Sequence, residues 1–353
     1  MARPAAYARS CERVQRLCAA VGDERTLREV LIAEIRRVVG FDAYAWLLTD
    51  PETQVGTAPL ADFPYLPELP ELIRLKYLTV VNRWTNLAGP VALLQEATGD
   101  EPSRSLLWRE LLDRYGIEDV ASSVFRDRFG CWGFLDLWRS GPAGRFSPEE
   151  AAYLAGIAGP MTAALRHGQA NTFAARPPPG PRQLGPVVLL LSHTLKVLGQ
   201  TPETLEYLRV LVPPAEGHPP IPASAYNVAA QLLANESGID EHPPSARVHL
   251  SDGRWVTLRA ARIGDGGPPG QRDIAVTIEE SSTSERASLF ARAFGLSSRE
   301  RELFGYLVTG SDTRELAHRM FLSEHTVQDH LKSIFAKTAT HNRRTLLSRA
   351  LGT

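Results

Sequence analysis

A multidomain α+β fold is predicted by three features of the 353-residue sequence. Two separate stretches mix short apolar runs of strand length with segments of helical periodicity, which is the pattern of an α/β unit. A proline-rich segment, Arg176-Pro177-Pro178-Pro179-Gly180-Pro181-Arg182, divides them and favours a semi-extended spacer. The last sixty residues carry helical periodicity alone. The expected order is therefore an α/β unit over 10–170, a linker over 171–184, a second α/β unit over 185–281, a connecting helix over 284–293 and an all-α unit over 294–353.

In the first unit, Val14, Leu17, Cys18 and Val21 share one helical face. Leu27, Val30, Leu31, Ile35 and Val38 share another, stopped by Gly40. Residues 43–48, Ala-Tyr-Ala-Trp-Leu-Leu, read as an apolar strand broken by the turn Asp50-Pro51-Glu52-Thr53. Helical stretches fill the middle, including 106–115. Residues 119–125 and 131–138 then form a hairpin across Asp127-Arg128-Phe129-Gly130. A closing helix opens at Ser147-Pro148-Glu149-Glu150 and runs to about His167. Proline costs nothing at a first helical position, where its missing N–H has no partner to lose, and the two acids favour the positive end of the helix dipole.

The second unit begins with strands at 186–191 and 196–198 and a helix from Thr201-Pro202-Glu203-Thr204 to 211. A further helix spans 221–235. Residues 246–250 and 255–262 make a hairpin across Ser251-Asp252-Gly253-Arg254, whose Asp-Gly pair accepts positive φ, and 273–278 is the last strand. The helix at 284–293 can transmit a change, dimerise or act as a rigid spacer.

Three helix starts follow in quick succession. Ser297 precedes Glu300 by three residues and Asp312 precedes Glu315 by three, the spacing of reciprocal capping boxes, and Ser323 opens the third helix. Leu303, Phe304 and Leu307, then Leu316, Ala317 and Met320, then Val327, Leu331, Ile334 and Phe335 supply the apolar faces. Only Phe321 and Leu322 separate the second helix from the third, which makes a helix-turn-helix. The third helix turns Glu324, Gln328, Asp329, Lys332 and Ser333 outward, with Lys332, Lys337, Arg343, Arg344 and Arg349 nearby. From Ala291 onward ten Lys and Arg face six Asp and Glu, a net +4 on a chain whose formal total is −1. A basic unit on an otherwise acidic chain suits a phosphate backbone.

Residues 296–303, Gly310, 315–317, 323–337 and Asn342-Arg343 resemble the LuxR/FixJ-type helix-turn-helix of bacterial transcription regulators. The resemblance implies binding of double-stranded DNA through the major groove. Carried over by position, Gln328, Asp329 and Lys332 would meet base edges, since Gln suits adenine, Asp suits cytosine N4 and Lys suits guanine. Thr326, His330 and Lys337 would hold phosphates or the helix register, and Ser323, Val327 and Arg343 complete the expected DNA-binding set. The chain departs from the family at Gln328, where Lys is usual, and at Thr338-Ala339, where Leu-Gly is usual. The first departure bears on the target sequence and the second on where the helix ends. In element order, and in the Phe41-Asp42-Ala43 lead into the first strand, the first unit resembles a GAF sensor domain; the second unit resembles a PAS domain.

Other chemistries leave no signature. There is no run of eighteen apolar residues and no apolar signal-peptide core after Met1, so a cytoplasmic protein without membrane partners is expected. Cys11, Cys18 and Cys131 fit a reducing compartment. The nine histidines make no metal-type pair, and no nucleophile elbow, phosphate loop or dinucleotide fingerprint occurs, so no enzyme, metal or cofactor is expected. Among the aromatic residues, Trp46, Trp84, Trp108 and Trp138 are candidates to line a ligand cavity in the first unit. The expected partners are DNA, a second copy of the chain and a small-molecule effector, with RNA polymerase admitted as a further one. Three alternatives stay open: a C-terminal unit that serves only interaction or dimerisation, a haem- or flavin-dependent sensor, and an enzyme with a DNA-binding tail.

Overall fold

The structure is a computed structural model and describes all residues except 1, 21, 64–65, 142–143, 175–186, 212–220, 251–252, 265–271 and 353. The proline-rich segment, Pro186, and Ser251-Asp252 of the second hairpin turn lie outside the described residues.

Helices α1 (Ala2–Ala20) and α2 (Glu24–Val38) lead into the first sheet, with Asp23 accepting the Thr26 N–H at 2.8 Å to cap α2. Strands β1 (Ala43–Thr49), β2 (Gly56–Asp62), β3 (Val91–Leu93), β4 (Ile117–Asp127) and β5 (Gly130–Ser140) form an antiparallel sheet in the order β2-β1-β5-β4-β3. Strand parity sorts its side chains. Trp46, Leu48, Leu135 and Leu137 face a cluster with Leu31 and Ile35 of α2 and with Leu154, Ile157 and Met161 of α6 (Pro148–Thr172). Leu47, Val124 and Phe134 face the other way.

Strands β2 and β3 were not expected. The β2 segment, Gly-Thr-Ala-Pro-Leu-Ala-Asp, has loop composition, and it is an edge strand whose Pro59 lies within the register shift opposite Trp46/Leu48. An edge is where a sheet tolerates proline. The middle of the unit holds α3 (Leu69–Leu78), α4 (Leu94–Thr98) and α5 (Leu106–Glu110). The helix expected over 106–115 breaks at Leu111 (φ −133°, ψ −58°) and resumes as a 3-10 turn, Leu112–Tyr115. The break turns Leu111 and Leu112, adjacent in sequence, both into the core.

The β4–β5 hairpin closes at Asp127 opposite Gly130, and a Cβ on Gly130 would stand 2.5 Å from Pro51, so glycine is required there. Ser147 and Glu150 form the reciprocal cap of α6, which continues past His167 to Thr172.

The second sheet takes β6 (Val187–Leu191), β7 (Val197–Gln200), β8 (Ser245–His249), β9 (Trp255–Arg262) and β10 (Ile274–Glu280), with α7 (Pro202–Leu211) and α8 (Ala223–Glu236) between β7 and β8. Its order, β7-β6-β10-β9-β8, repeats that of the first sheet: second, first, fifth, fourth, third. Helix α8 is buried along almost its whole length and rich in alanine, as befits a helix with neighbours on several sides. It packs on β9 of its own sheet and on α3 and β2 of the first. Gly56 permits this approach, since a Cβ there would lie 2.7 Å from Leu47 Cδ2 and 3.3 Å from Asn227.

Two buried ion pairs join the same parts. Arg83, with no exposed surface, donates to Asp240 and to Gln231 of α8 at 2.9 Å each. Arg247 of β8 forks onto Asp50, in the turn after β1, with two contacts of 2.7 Å.

Five helices follow: α9 (Thr283–Ala293), α10 (Ser298–Val308), α11 (Thr313–Met320), α12 (Glu324–Thr338) and α13 (Arg343–Leu351). Helix α9 is packed rather than solvated. Phe290 lies in a row of buried rings: Trp255 of β9 stacks on Phe173 at 5.3 Å, Phe173 meets Phe290 edge-on at 5.2 Å, and Phe290 stacks on Phe304 of α10 at 5.5 Å. Arg286 of α9 donates to the carbonyl of Ala350 at 3.0 Å, satisfying an acceptor at the end of α13. The fold class is the expected multidomain α+β with an all-α C-terminus.

Candidate nucleic-acid interface

Each helix of the C-terminal unit begins where its capping residue places it. The Ser297 N–H donates to the Glu300 carboxylate at 2.6 Å and the Ser297 hydroxyl accepts the Glu300 N–H at 3.3 Å. The second reciprocal cap forms only by half. Asp312 accepts the Glu315 N–H at 2.8 Å, but the Glu315 carboxylate turns to Arg319, one helical turn on. Phe321 takes the left-handed conformation (φ 55°, ψ 44°) and makes the turn short, and Ser323 caps α12 by accepting the Thr326 N–H at 3.1 Å.

The structure divides the expected DNA-binding residues by face. Gln328, Asp329 and Lys332 are exposed on one stripe of α12, Ser323 is exposed at its start, and Thr326 and His330 are half-buried beside it. Asp329 stands 3.2 Å from Lys332 Nζ and 3.6 Å from His325 Nε2, exposed pairs that a ligand can exchange at small cost. Val327 is corrected: with no exposed surface it belongs to the core beneath the stripe, with Leu331 and Ile334.

Lys337 is exposed and engaged within the domain. Its ammonium lies 2.6 Å from the Glu300 carboxylate, which also accepts from the Ser333 hydroxyl at 2.6 Å. Burial pushes the Glu300 carboxyl up, but the Lys337 and Ser333 hydrogen bonds outweigh it and hold the group at about 2. Lys337 thus fastens α12 to α10. Arg349 donates to the Thr338 carbonyl and Arg343 to the Thr313 hydroxyl, each at 2.6 Å. Of the five cations expected around the stripe, Lys332, Lys337 and Arg344 are exposed, Lys337 while paired with Glu300. Arg314, with 90% of its side chain exposed, adds a charge from the first turn of α11. Its position two residues past the Asp312 cap was the sequence signal for it.

Helix α12 ends at Ala339, where the family pattern has glycine, and the chain adopts φ 48°, ψ 45° there without one. An L side chain in this region costs about 1 kcal/mol relative to glycine. Ala339→Gly is expected to raise stability by about that amount, seen as a later denaturation midpoint; an unchanged or earlier midpoint would show that the cap is unstrained.

Of the four candidate tryptophans, Trp138 lines a cavity on the open face of the first sheet, with Phe134, Tyr77 and Lys76. The other three do not line this cavity. Trp46 sits on the opposite face against Phe125. Trp84 is stacked behind Phe134 at 4.3 Å and donates to the Gln54 carbonyl, and Trp108 donates to the Ile117 carbonyl at 2.7 Å. Among the described residues no group of three or more His, Cys, Asp or Glu could hold a metal ion, and no helix is long and apolar enough to cross a membrane.

Residues 295–350 match the GerE family, described as bacterial regulatory proteins, luxR family. No curated protein matches the chain. Among solved structures it is similar to bacteriophytochrome RpBphP3 from the photosynthetic bacterium R. palustris, at 14% identity over 77% of this chain and 62% of that one, with a TM-score of 0.33. The chain spans less than two thirds of that structure's length. The match over 295–350 coincides with helices α10 to α13 and their caps, and this C-terminal unit is a DNA-binding helix-turn-helix domain of the luxR family of bacterial regulatory proteins.

Proposed function

We propose that the chain is a sequence-specific transcription regulator whose upstream units respond to a small molecule or protein partner and set the state of its DNA-binding domain. In this reading a GAF-like unit over 10–170 and a PAS-like unit over 185–281, joined through 171–184, act through the helix at 284–293 on the domain at 294–353. The observation that carries it is the exposed Gln328-Asp329-Lys332 stripe on a capped α12. Gln328, Asp329 and Lys332 read base edges, while Ser323, Thr326, His330, Lys337 and Arg343 set phosphates and register. The protein works in the cytoplasm as a homodimer on half-sites one helical turn apart, engages RNA polymerase as the output requires, and carries out no catalysis of its own.

Support for the sensor part comes from the strand order that the two sheets share and from the ties of α9 to both. Arg247 donates to the Glu285 carbonyl at 3.1 Å, Ser288 to Glu52 at 3.1 Å, and Arg292 to the Phe129 carbonyl at 3.0 Å. A change in either sheet therefore reaches α9 through direct contacts.

The test is selection of genomic fragments by the full-length protein, then titration of the enriched site across salt. One dyad-symmetric site whose affinity falls steeply with salt is expected, because bound phosphates release counterions. Failure to enrich any site would leave the interaction-module alternative standing. On the enriched site, Lys332→Ala is expected to weaken binding by roughly 1–3 kcal/mol and relax preference at one base position. Unchanged affinity and preference would remove Lys332 from the reading set.

A further inference from the structure

The cavity on the open face of the first sheet has a volume of about 190 Å³ and is closed by α8 of the second unit. Leu47, Phe63, Leu72 and Phe134 give it apolar walls. Polar side chains stand among them, and the Tyr77 hydroxyl is occupied by the Gly56 N–H at 2.9 Å. Lys76 and Asp136 pair at 2.7 Å with 10% and 5% of their side chains exposed. Asn227, on α8, has no exposed surface, and neither its amide nitrogen nor its amide oxygen has a hydrogen-bond partner in the protein. The indole N–H of Trp138 also lacks one.

We propose that this cavity binds a neutral molecule the size of one substituted ring, with an amide-type edge that pairs with Asn227. The proposal rests on the reading of the upstream units as sensors and names the chemistry of their input. Size follows from volume, since an apolar cavity of ~150 Å³ already takes benzene. Neutrality follows from the walls. Lys76 and Asp136 satisfy each other, so a charged guest would be desolvated without a counterion. The edge follows from Asn227, which offers one donor and one acceptor side by side, because buried amides are rarely left unpaired. A lactam, carboxamide or similar group meets both at once, and Trp138 Nε1 supplies a further donor. Since Asn227 and Ala223 come from the second unit and the remaining walls mostly from the first, the guest touches both units.

Titration of the full-length protein with benzamide, followed by ligand-observed NMR, tests this, with toluene as the probe without the edge and benzoate as the charged one. Benzamide is expected to bind about tenfold or more tightly than either, the increment of one good hydrogen-bonded edge in a dry site. Asn227→Leu is expected to weaken benzamide about tenfold and leave toluene bound. Ala61→Phe, at an exposed rim position where folding is little at risk, is expected to abolish binding of both. No benzamide binding by the wild type, or benzamide affinity unchanged in Asn227→Leu, overturns the proposal; if that variant fails to fold, unchanged affinity in Ala61→Phe does so. Operator affinity, measured in the same samples with and without benzamide, separates the two readings. Asn227-dependent binding that leaves operator affinity unmoved supports the site and counts against the sensor reading.

Discussion

Arg247→Met is expected to destabilise the protein by about 3–5 kcal/mol, because it strips a buried carboxylate of its cation. Asp50 is 1% exposed and receives both arms of the Arg247 guanidinium as well as the Arg247 N–H. Burial alone would raise its carboxyl, but Arg247 outweighs burial and holds it below the usual carboxylate range. A depressed carboxylate stabilises the fold fully above its unfolded value of about 3.9, and that contribution is lost as pH falls through the folded value. In the variant the uncompensated carboxyl shifts upward and takes a proton readily. The gap between wild type and variant should therefore be widest near neutral pH and narrow below about pH 4. Urea denaturation at a series of pH values reads this directly, and a gap that is small at pH 7, or constant with pH, would mean that the pair contributes little. Adding Asp50→Asn to Arg247→Met should recover part of the loss, since the stranded charge is then gone.

Phe290→Ala is the other large change expected, at about 3–5 kcal/mol for a fully buried ring whose neighbours cannot close the space. Phe290 touches Phe173 at the end of α6, Phe294 in its own segment and Phe304 in α10, so the cavity opens where the upstream units meet the DNA-binding helices. The damage is therefore local in a specific way. Limited proteolysis should cut near residues 282–297 well before it cuts the sheets, and the two-step denaturation profile that results should keep a late transition close to that of the wild type. A single cooperative transition shifted as a whole would instead mean that the ring serves the general core.

The parts of this fold that could be read in the sequence are those decided within a few residues. Ser297, Ser323 and Ser147 cap the helices they precede, Asp127 and Gly130 close a hairpin, and the second sheet follows its expected order of strands and helices. What could not be read depends on distant partners. Lys337 looks like an available cation until α10, 37 residues earlier, brings Glu300 beneath it. Trp46 and Trp138 look equivalent until the register is known. Trp46 lies opposite Leu135, which leaves Trp138 on the other face. Strand β2 escaped because an edge tolerates the glycine, alanine and proline that a central strand would exclude. For the DNA-reading stripe, local periodicity sufficed for Gln328, Asp329 and Lys332, and it also marks Val327 as one of the apolar residues facing inward.

Helix α8 covers the part of the first sheet that α3 leaves open, yet it begins some 80 residues after β5 ends. During synthesis, at ~5–20 residues per second, the finished first sheet therefore waits roughly 4–17 s with the region around Leu47 and Gly56 lacking its α8 cover. The chain is most exposed to misassembly in that interval, when a neighbouring nascent copy can offer the same apolar face. Arg83, already placed in the first unit, waits longer still, for Asp240 beyond the end of α8. The nascent chain thus passes through a stage in which its first half is shaped but unsealed, and one alanine-rich helix ends that stage for the first half before β8 to β10 complete the second.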